Sequence, residues 1–182
     1  MRVISGSARG LKLKTIENDS TRPTKDMVKE ALFSIIYDKV TDCVFLDLFA
    51  GSGAIGIEAL SRGAHKAYFN DINPECIKVI KENLQKAKFE EKSEIFNLKS
   101  DMMLDKVKDV SFDIIYIDPP YNSDLGIEAI KTISSYNLLK TSGVLVYETD
   151  ETEAVPEIIE NFEKFKCKKY GRNILNFYSR KE

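Results

Sequence analysis

The tetrapeptide Asp118-Pro119-Pro120-Tyr121 carries groups that can hold an aromatic amine. A carboxylate accepts hydrogen bonds from an exocyclic amine, and an aromatic ring stacks on the face of a base. Each proline fixes its own φ angle and lacks an N–H donor, so the backbone after Asp118 keeps one shape. These four residues are the candidate catalytic group. The structural alternative is a turn with a capping Asp and a packed Tyr.

Three further aspartates also follow predicted strands. Asp47, Asp71 and Asp101 lie at or just beyond the ends of the first, second and third strands, and Asp118 ends the fourth. The carboxyl ends of parallel strands line one crevice in an open α/β sheet, so we expect the four side chains to share a site. Because gathered carboxylates repel one another, the ligand should be cationic or rich in hydrogen-bond donors.

The loop Gly51-Ser-Gly53-Ala-Ile-Gly56 follows the first strand and opens a helix. Such a loop allows close backbone approach to a ligand, and with Asp71 downstream it also fits an NAD-binding fingerprint. Asp47 places negative charge where a pyrophosphate would lie, which favours S-adenosylmethionine instead. Asp71 would then hold the ribose hydroxyls, Asp101 would lie near the adenine amine, and the glycine-rich turn would accommodate the methionine end.

The apolar run 112–117 has too few polar residues for a half-wet strand and predicts a strand buried on both faces. Strands and helices alternate around it, which is typical of a doubly wound α/β sheet with right-handed crossovers. We predict a mostly parallel, seven-stranded, Rossmann-like sheet with an antiparallel C-terminal hairpin and a small N-terminal β-ribbon. The other predicted strands are 43–49, 67–70, 94–98, 143–147, 164–170 and 173–179. The predicted helices begin after Thr24, at Gly51 and after Asn73, and run across 124–135 and near 156–161.

The two ends of the chain are basic and the middle is acidic. Residues 1–25 hold six basic and two acidic residues, residues 164–182 hold seven and one, and residues 26–163 hold 14 and 26. We expect residues 1–25 to form a ribbon and basic extension, and residues 26–182 to form the main domain. Local positive charge can mark the footprint of a polyanion, although a charged surface alone is equally expected.

The N-terminal ribbon buries little by itself, so its cations are poorly explained as core support. We therefore predict that Arg9, Lys12 and Lys14 contact the phosphates of a polyanion, because the acidic body would otherwise repel it. A weaker second candidate is formed by Lys166, Lys168 and Lys169.

Composition limits the remaining possibilities. The 182 residues, 43% hydrophobic and 31% charged, suit one globular domain with no membrane span or secretory signal. The odd set Cys43, Cys76 and Cys167 forms no Cys-x-x-Cys pair, so we expect buried thiols in a reducing cytoplasm and no metal site. The only histidine, His65, follows a helix end and should lie at the surface without a role.

Six segments together resemble one family. Asp47-Leu-Phe-Ala-Gly-Ser-Gly53 with Asp118-Pro-Pro-Tyr121 resembles class I methyltransferases that modify exocyclic amines of bases. The resemblance narrows to the RsmD family, bacterial 16S rRNA (guanine-N2)-methyltransferases, and it covers nearly the whole chain. The narrowing segments are Arg2-Val-Ile-Ser-Gly-Ser-Ala-Arg-Gly10, Arg22-Pro-Thr24, Glu30-Ala-Leu-Phe33 and Ile57-Glu-Ala-Leu-Ser-Arg-Gly-Ala64.

The resemblance implies S-adenosylmethionine as cofactor and 16S rRNA as partner, free or within the small ribosomal subunit. The rRNA would then be the polyanion whose phosphates Arg9, Lys12 and Lys14 contact. We also expect a monomer. It places the target base at 118–121. Its implied cofactor residues are Phe49, Gly51, Gly53, Asp71, Asp101 and Arg22-Pro23-Thr24. Lys29 stands where the family often has Arg, which should bear on RNA contacts. Two other functions stay open: an adenine-N6 methyltransferase acting on DNA, and a non-catalytic nucleotide- or RNA-binding module.

Overall fold

The computed structural model describes residues 1–16, 22–120 and 123–181, with residues 22–25 described by their backbone alone. Its centre is one eight-stranded sheet with the strand order β3-β2-β1-β4-β5-β8-β7-β6. The first five strands run parallel and the last three pair in antiparallel fashion. The strands are β1 (Val44–Asp47), β2 (Lys66–Asn70), β3 (Ser93–Phe96), β4 (Phe112–Ile117), β5 (Leu139–Asp150), β6 (Ile158–Ile159), β7 (Phe162–Tyr170) and β8 (Asn173–Arg180).

Helices cover both faces of this sheet, as the alternating pattern predicts. The helices are α1 (Arg22–Ile35), α2 (Tyr37–Val40), α3 (Ala54–Ser61), α4 (Pro74–Ala87), α5 (Ser100–Lys106) and α6 (Leu125–Ser135). Apolar residues of α1, α3 and α4 form one core with one face of the sheet, and those of α5 and α6 form a second core with the other. The predicted doubly wound class is therefore confirmed.

One predicted helix in the C-terminal half is wrong. A short helix was expected near 156–161, but Ile158 and Ile159 form β6 and pair with Glu163 and Phe162 across a tight turn at Glu160, which has φ 54°. Apolar residues at 158, 159 and 162 fit one face of a helix as well as a hairpin, so spacing alone could not decide. The sheet gains its eighth strand here.

The N-terminal segment, residues 1–16, folds back on itself through backbone hydrogen bonds between Val3 and Leu11 and between Leu13 and Met1. Its only β-bridge joins Arg2 to Lys12. Val3 and Leu13 are both buried in the core beneath α1, α3 and α4. The expectation that this segment supports little of the core is thus wrong.

Two side-chain predictions also meet the structure here. Cys43 and Cys76 are buried as expected, and burial raises the pKa of each thiol to about 12. Cys167 is exposed on β7, contrary to expectation. His65 is exposed, as predicted. None of the described helices is long and apolar enough to span a membrane.

Candidate functional site

A cleft of about 640 Å³ opens at the carboxyl ends of β1, β2, β3 and β4. The strand order reverses between β1 and β4, and ligands of doubly wound sheets bind at this switch point. Helices α5 and α6 supply the other wall. The cleft is lined by Phe49, Asn70, Asp71, Ile72, Leu98, Lys99, Ser100, Asp101, Asp118, Pro119, Pro120, Leu125, Glu128, Ala129 and Thr132.

The predicted catalytic segment lies in this cleft. Strand β4 is buried along most of its length and ends at Ile117, so Asp118 follows from a rigid base and is half-buried. Pro119 is buried and Pro120 is exposed, and all three residues line the cleft. Tyr121 lies outside the described residues, so its stacking role remains a prediction.

Asp71 lines the cleft and also holds its own loop together. One carboxylate oxygen accepts a hydrogen bond from the Gly51 amide at 2.9 Å, and the other accepts from the Asn73 amide at 2.9 Å. The Cys76 thiol is a further hydrogen-bond partner of this carboxylate, which can accept about four hydrogen bonds and so keeps capacity for a ligand hydroxyl. Asp71 therefore joins the start of the glycine-rich turn to the start of α4, which the sequence pattern did not reveal.

The glycine-rich turn shows the backbone conformation its sequence suggests. Gly53 has φ 78°, a left-handed value that side chains other than glycine rarely adopt, and it is the N-cap of α3. Gly51 and Gly53 are not among the residues that line the cleft, whereas Phe49 just before them is. The turn thus lies beside the cleft wall, behind Phe49.

Of the four aspartates predicted at strand ends, Asp47 is the one that does not line the cleft. Its side chain is 1% exposed and accepts a hydrogen bond from the Gly56 amide at 3.0 Å, beneath the glycine-rich turn. Burial raises the pKa of Asp47 to about 7, an effect that the Gly56 hydrogen bond opposes. Asp47 therefore supports α3 and does not contribute the fourth carboxylate that was expected in the cleft. With a pKa of about 7, its carboxyl group is only partly ionised at neutral pH.

The remaining predicted acid, Asp101, lies in the first turn of α5 and is exposed at the cleft. Other lining residues escaped the sequence analysis. Ile72 is 64% exposed immediately after Asp71, and Leu98 and Leu125 add apolar surface. An isoleucine directly after a strand-end acid was the sequence signal that could have indicated this apolar wall. Together these side chains form an apolar wall for a flat ring, next to hydrogen-bond acceptors.

Two asparagines that the sequence analysis missed fix the rim. Buried Asn70 donates from its amide to the carbonyls of Leu48 and Leu98, which ties together the ends of β1, β2 and β3. Asn97 donates to the carbonyls of Asp71 and Ile72 at 2.8 and 2.9 Å. These contacts hold the acid and the apolar side chain of the rim in one position.

A further carboxylate, Glu148, lies within β5 on the strand next to the catalytic segment. Ile117 pairs with Tyr147, so Asp118 and Glu148 follow in step on neighbouring strands. Glu148 is buried, accepts a hydrogen bond from the Tyr116 hydroxyl, and accepts another from the Asn173 amide. Burial and the neighbouring carboxylates raise the pKa of Tyr116 well above its usual range. The strand-end rule that found the other acids would have found Glu148 as well.

The predicted RNA-contacting cations lie on the N-terminal segment and are exposed, but they differ in their surroundings. Lys14 donates to Glu82 of α4 at 2.8 Å, whereas Arg9 and Lys12 have exposed side chains. Lys29 was expected to bear on RNA contacts, yet it is 1% exposed and donates to the Arg2 carbonyl. That expectation is therefore wrong. The structure describes only the backbone of Arg22, Pro23 and Thr24, so their role at the cofactor site stays a prediction.

Within the described residues, no group of three or more His, Cys, Asp or Glu side chains is arranged to hold a metal ion. The acids of the cleft come from separate strand ends and face a single cavity of ligand size. The site therefore has the form of an organic-ligand site.

A doubly wound sheet with this cleft defines a Rossmann-like methyltransferase fold. An Escherichia coli protein provisionally described as a methyltransferase superposes with a TM-score of 0.88, is 29% identical, and is matched over 100% of this chain and 98% of its own. A Haemophilus influenzae structure, provisionally described as a methylase, gives a TM-score of 0.81 at 32% identity over 100% and 99% of the two chains.

The family model described as Conserved hypothetical protein 95 matches residues 1–179. The chain belongs to this family, the RsmD family of methyltransferases. Among its curated relatives is the Haemophilus influenzae protein named ribosomal RNA small subunit methyltransferase D, 36% identical over 83% of this chain and 79% of the relative. The Escherichia coli K12 protein of the same name is 29% identical over 99% and 90%.

Proposed function

We propose that this protein transfers a methyl group from S-adenosylmethionine to the exocyclic N2 amine of a guanine in 16S rRNA. The observation that carries the proposal is the meeting of Asp118, Pro119 and Pro120 with Asp71 and Asp101 in one cleft. The first group suits an acceptor amine and the second suits a nucleoside. The names of the curated relatives support small-subunit rRNA as the substrate.

The cleft fits S-adenosylmethionine better than a dinucleotide. Among the described residues, four carboxylates line it against one lysine, and this charge favours a positive sulfonium over a pyrophosphate. The four are Asp71, Asp101, Asp118 and Glu128, and the lysine is Lys99. Asp71 retains lone pairs for ribose hydroxyls, Asp101 is placed for the adenine amine, and Ile72 offers its apolar surface to the ring. Asp47 does not line the cleft, so the preference for a cation comes from these lining residues instead.

The protein's part in the chemistry is to prepare the acceptor nitrogen. An exocyclic amine is a poor nucleophile because its lone pair is delocalised into the ring. Hydrogen bonds from its protons to the Asp118 carboxylate and the Pro119 carbonyl would favour a pyramidal nitrogen with an available lone pair. When bound, S-adenosylmethionine supplies a methyl group on a positively charged sulfur. Because the prolines restrict the backbone, the two acceptors keep their alignment, which is where the rate gain arises.

A test compares substrates and a matched variant. Wild-type protein with labelled S-adenosylmethionine would be offered small ribosomal subunits, naked 16S rRNA and DNA, and the modified nucleoside identified by mass spectrometry. We expect N2-methylguanosine in rRNA. N6-methyladenine in DNA as the sole product would overturn the proposal in favour of the adenine alternative, and no product with any of the three would favour the binding module.

The variant Asp118→Ala separates binding from chemistry. It should keep cofactor affinity within a few-fold and lose about 10²–10³ in single-turnover rate, as oriented hydrogen bonds in active sites commonly contribute. Full activity in this variant would place the acceptor elsewhere. Glu128→Ala, which removes a cleft carboxylate that lies on α6, is the matched control and should retain most of the rate.

A further inference from the structure

Helix α4 holds the N-terminal segment along one of its sides. Lys86 donates to the Lys12 carbonyl at 2.6 Å, and the Asn83 side chain both accepts from the Lys14 amide and donates to the Lys14 carbonyl. The Lys14 ammonium adds its ion pair with Glu82. The contacts come from Glu82, Asn83 and Lys86, within about one turn of α4, so this turn holds the segment against the helix.

Asn83 also connects this arrangement to the cleft side of the sheet. It is 1% exposed, and its amide donates to the Ser52 carbonyl at 2.9 Å in the glycine-rich turn. The N-terminal segment, α4 and the glycine-rich turn are thus joined at one buried side chain. Charges carried by the first two have a fixed position relative to the cleft.

The outer side of α4 carries three lysines at helical spacing. Lys78, Lys81 and Lys88 are exposed, with Gln85 between the last two. They lie about one to four turns after Pro74, where α4 starts just beyond the cleft residues Asp71 and Ile72. At 1.5 Å rise per residue the row is about 15 Å long. We call these three side chains the lysine row.

The charge of this region is opposite to that of the rest of the chain. Residues 1–16 and α4 with Lys88 hold eight basic and two acidic residues, although the chain as a whole has a net charge of −2. One of the two acids, Glu82, is paired with Lys14, and Lys14 and Lys78 lower its pKa. The acidic middle of the sequence therefore does not present an acidic surface here.

We propose that the lysine row forms, with Arg9 and Lys12, the surface that contacts the phosphates of the RNA substrate. The inference rests on the proposed function and deepens it. It assigns the phosphates of the substrate to α4, which lies in the acidic middle of the chain where repulsion of RNA was expected. A polyanion complements this surface. Because α4 starts just after the cleft residues Asp71 and Ile72, an RNA that lies along the row can also reach the cleft. The β7 lysines lie at the far edge of the sheet, beyond β8.

The experiment uses two triple variants with the same change in net charge. Lys78→Ala/Lys81→Ala/Lys88→Ala removes the lysine row, and Lys166→Ala/Lys168→Ala/Lys181→Ala removes three exposed lysines from β7 and the C-terminus. Binding of 16S rRNA would be measured across a salt series, with calorimetric S-adenosylmethionine affinity and circular dichroism as checks. All six positions are exposed, so both variants should fold.

We expect the lysine-row variant to bind rRNA several-fold more weakly, with a log–log salt slope shallower by about 2 to 3 because each lost phosphate contact contributes about 0.7–0.9. The β7 variant removes Lys166 and Lys168 of the weaker second candidate, and it should keep the wild-type slope because β7 lies at the far edge of the sheet from α4. Equal losses in the two variants, or none in the first, would overturn the inference. Failure of the proposed function would be seen differently, as wild-type protein that neither methylates nor binds rRNA.

Discussion

Replacement of Glu58 by Ala should destabilise the whole protein through loss of a buried charge network. Glu58 is 0% exposed on α3 and accepts hydrogen bonds from the Ile4 amide at 2.8 Å, the Ser5 amide at 3.0 Å and the Arg62 Nε at 2.8 Å. The Lys29 ammonium lies 3.4 Å away and is itself 1% exposed. The carboxylate thus binds the N-terminal segment, α1 and α3 together.

The expected cost is about 3–5 kcal/mol, because Glu58→Ala leaves the Lys29 charge buried without its carboxylate and strands two backbone amides. For a protein of this size that corresponds to a fall in Tm of roughly 6–20 °C. The segment also fits tightly: a Cβ added at Gly6, where φ is 86°, would lie 1.7 Å from the Ser61 carbonyl oxygen. We therefore expect the segment to detach in the variant and become open to proteolysis.

The assay is thermal and urea unfolding, with limited proteolysis of the N-terminus. Glu82→Ala is the matched control, since it removes an exposed glutamate that also has a lysine partner, and its Tm should change little. The double variant Glu58→Gln/Lys29→Met removes both buried charges and should recover much of the lost stability. If Glu58→Ala cost no more than Glu82→Ala, the buried network would not be what holds the segment.

The same variant has a signature in pH. Burial lowers the pKa of Lys29 below its usual 10.5, and Glu58 opposes that shift. Without Glu58 the pKa of Lys29 in the folded state should fall further. Between that lowered pKa and 10.5, the unfolded chain keeps a proton on Lys29 that the folded chain has lost. Unfolding free energy of Glu58→Ala should then rise with pH across that window, more steeply than in the wild type.

Three further predictions concern the site. In Asp47→Asn the unfolding free energy should lose its decline between about pH 4 and 7, because wild-type Asp47, with its pKa raised to about 7, holds a proton there that the unfolded chain releases. Asp71→Ala should weaken S-adenosylmethionine binding in calorimetry by about 1–3 kcal/mol and also lower Tm, since the Gly51 amide loses its acceptor; unchanged affinity would remove Asp71 from the site. Asn83→Ala should weaken both cofactor and rRNA binding, and a loss of only one would contradict its linking role.

Much of the site was predictable because the signals are local. An apolar run that ends at Asp118 marks a buried strand and its carboxyl end, and parallel strands bring such ends together whatever the intervening helices are. Asp71 and Asp101 were placed by the same rule, Phe49 was implied by the family resemblance, and all three line the cleft. The rule uses only hydrophobic pattern and chain direction, both of which are written in neighbouring residues.

The sequence by itself determined the doubly wound sheet, the strand ends and the acids beside the cleft. Only the tertiary structure decided which polar groups are buried and which segments meet. Asp47 lies beneath the glycine-rich turn, Lys29 pairs with Glu58 over a separation of 29 residues, and Asn83 reaches Lys14 over 69. Charge and spacing do not specify burial, because burial depends on what packs against a residue from distant parts of the chain.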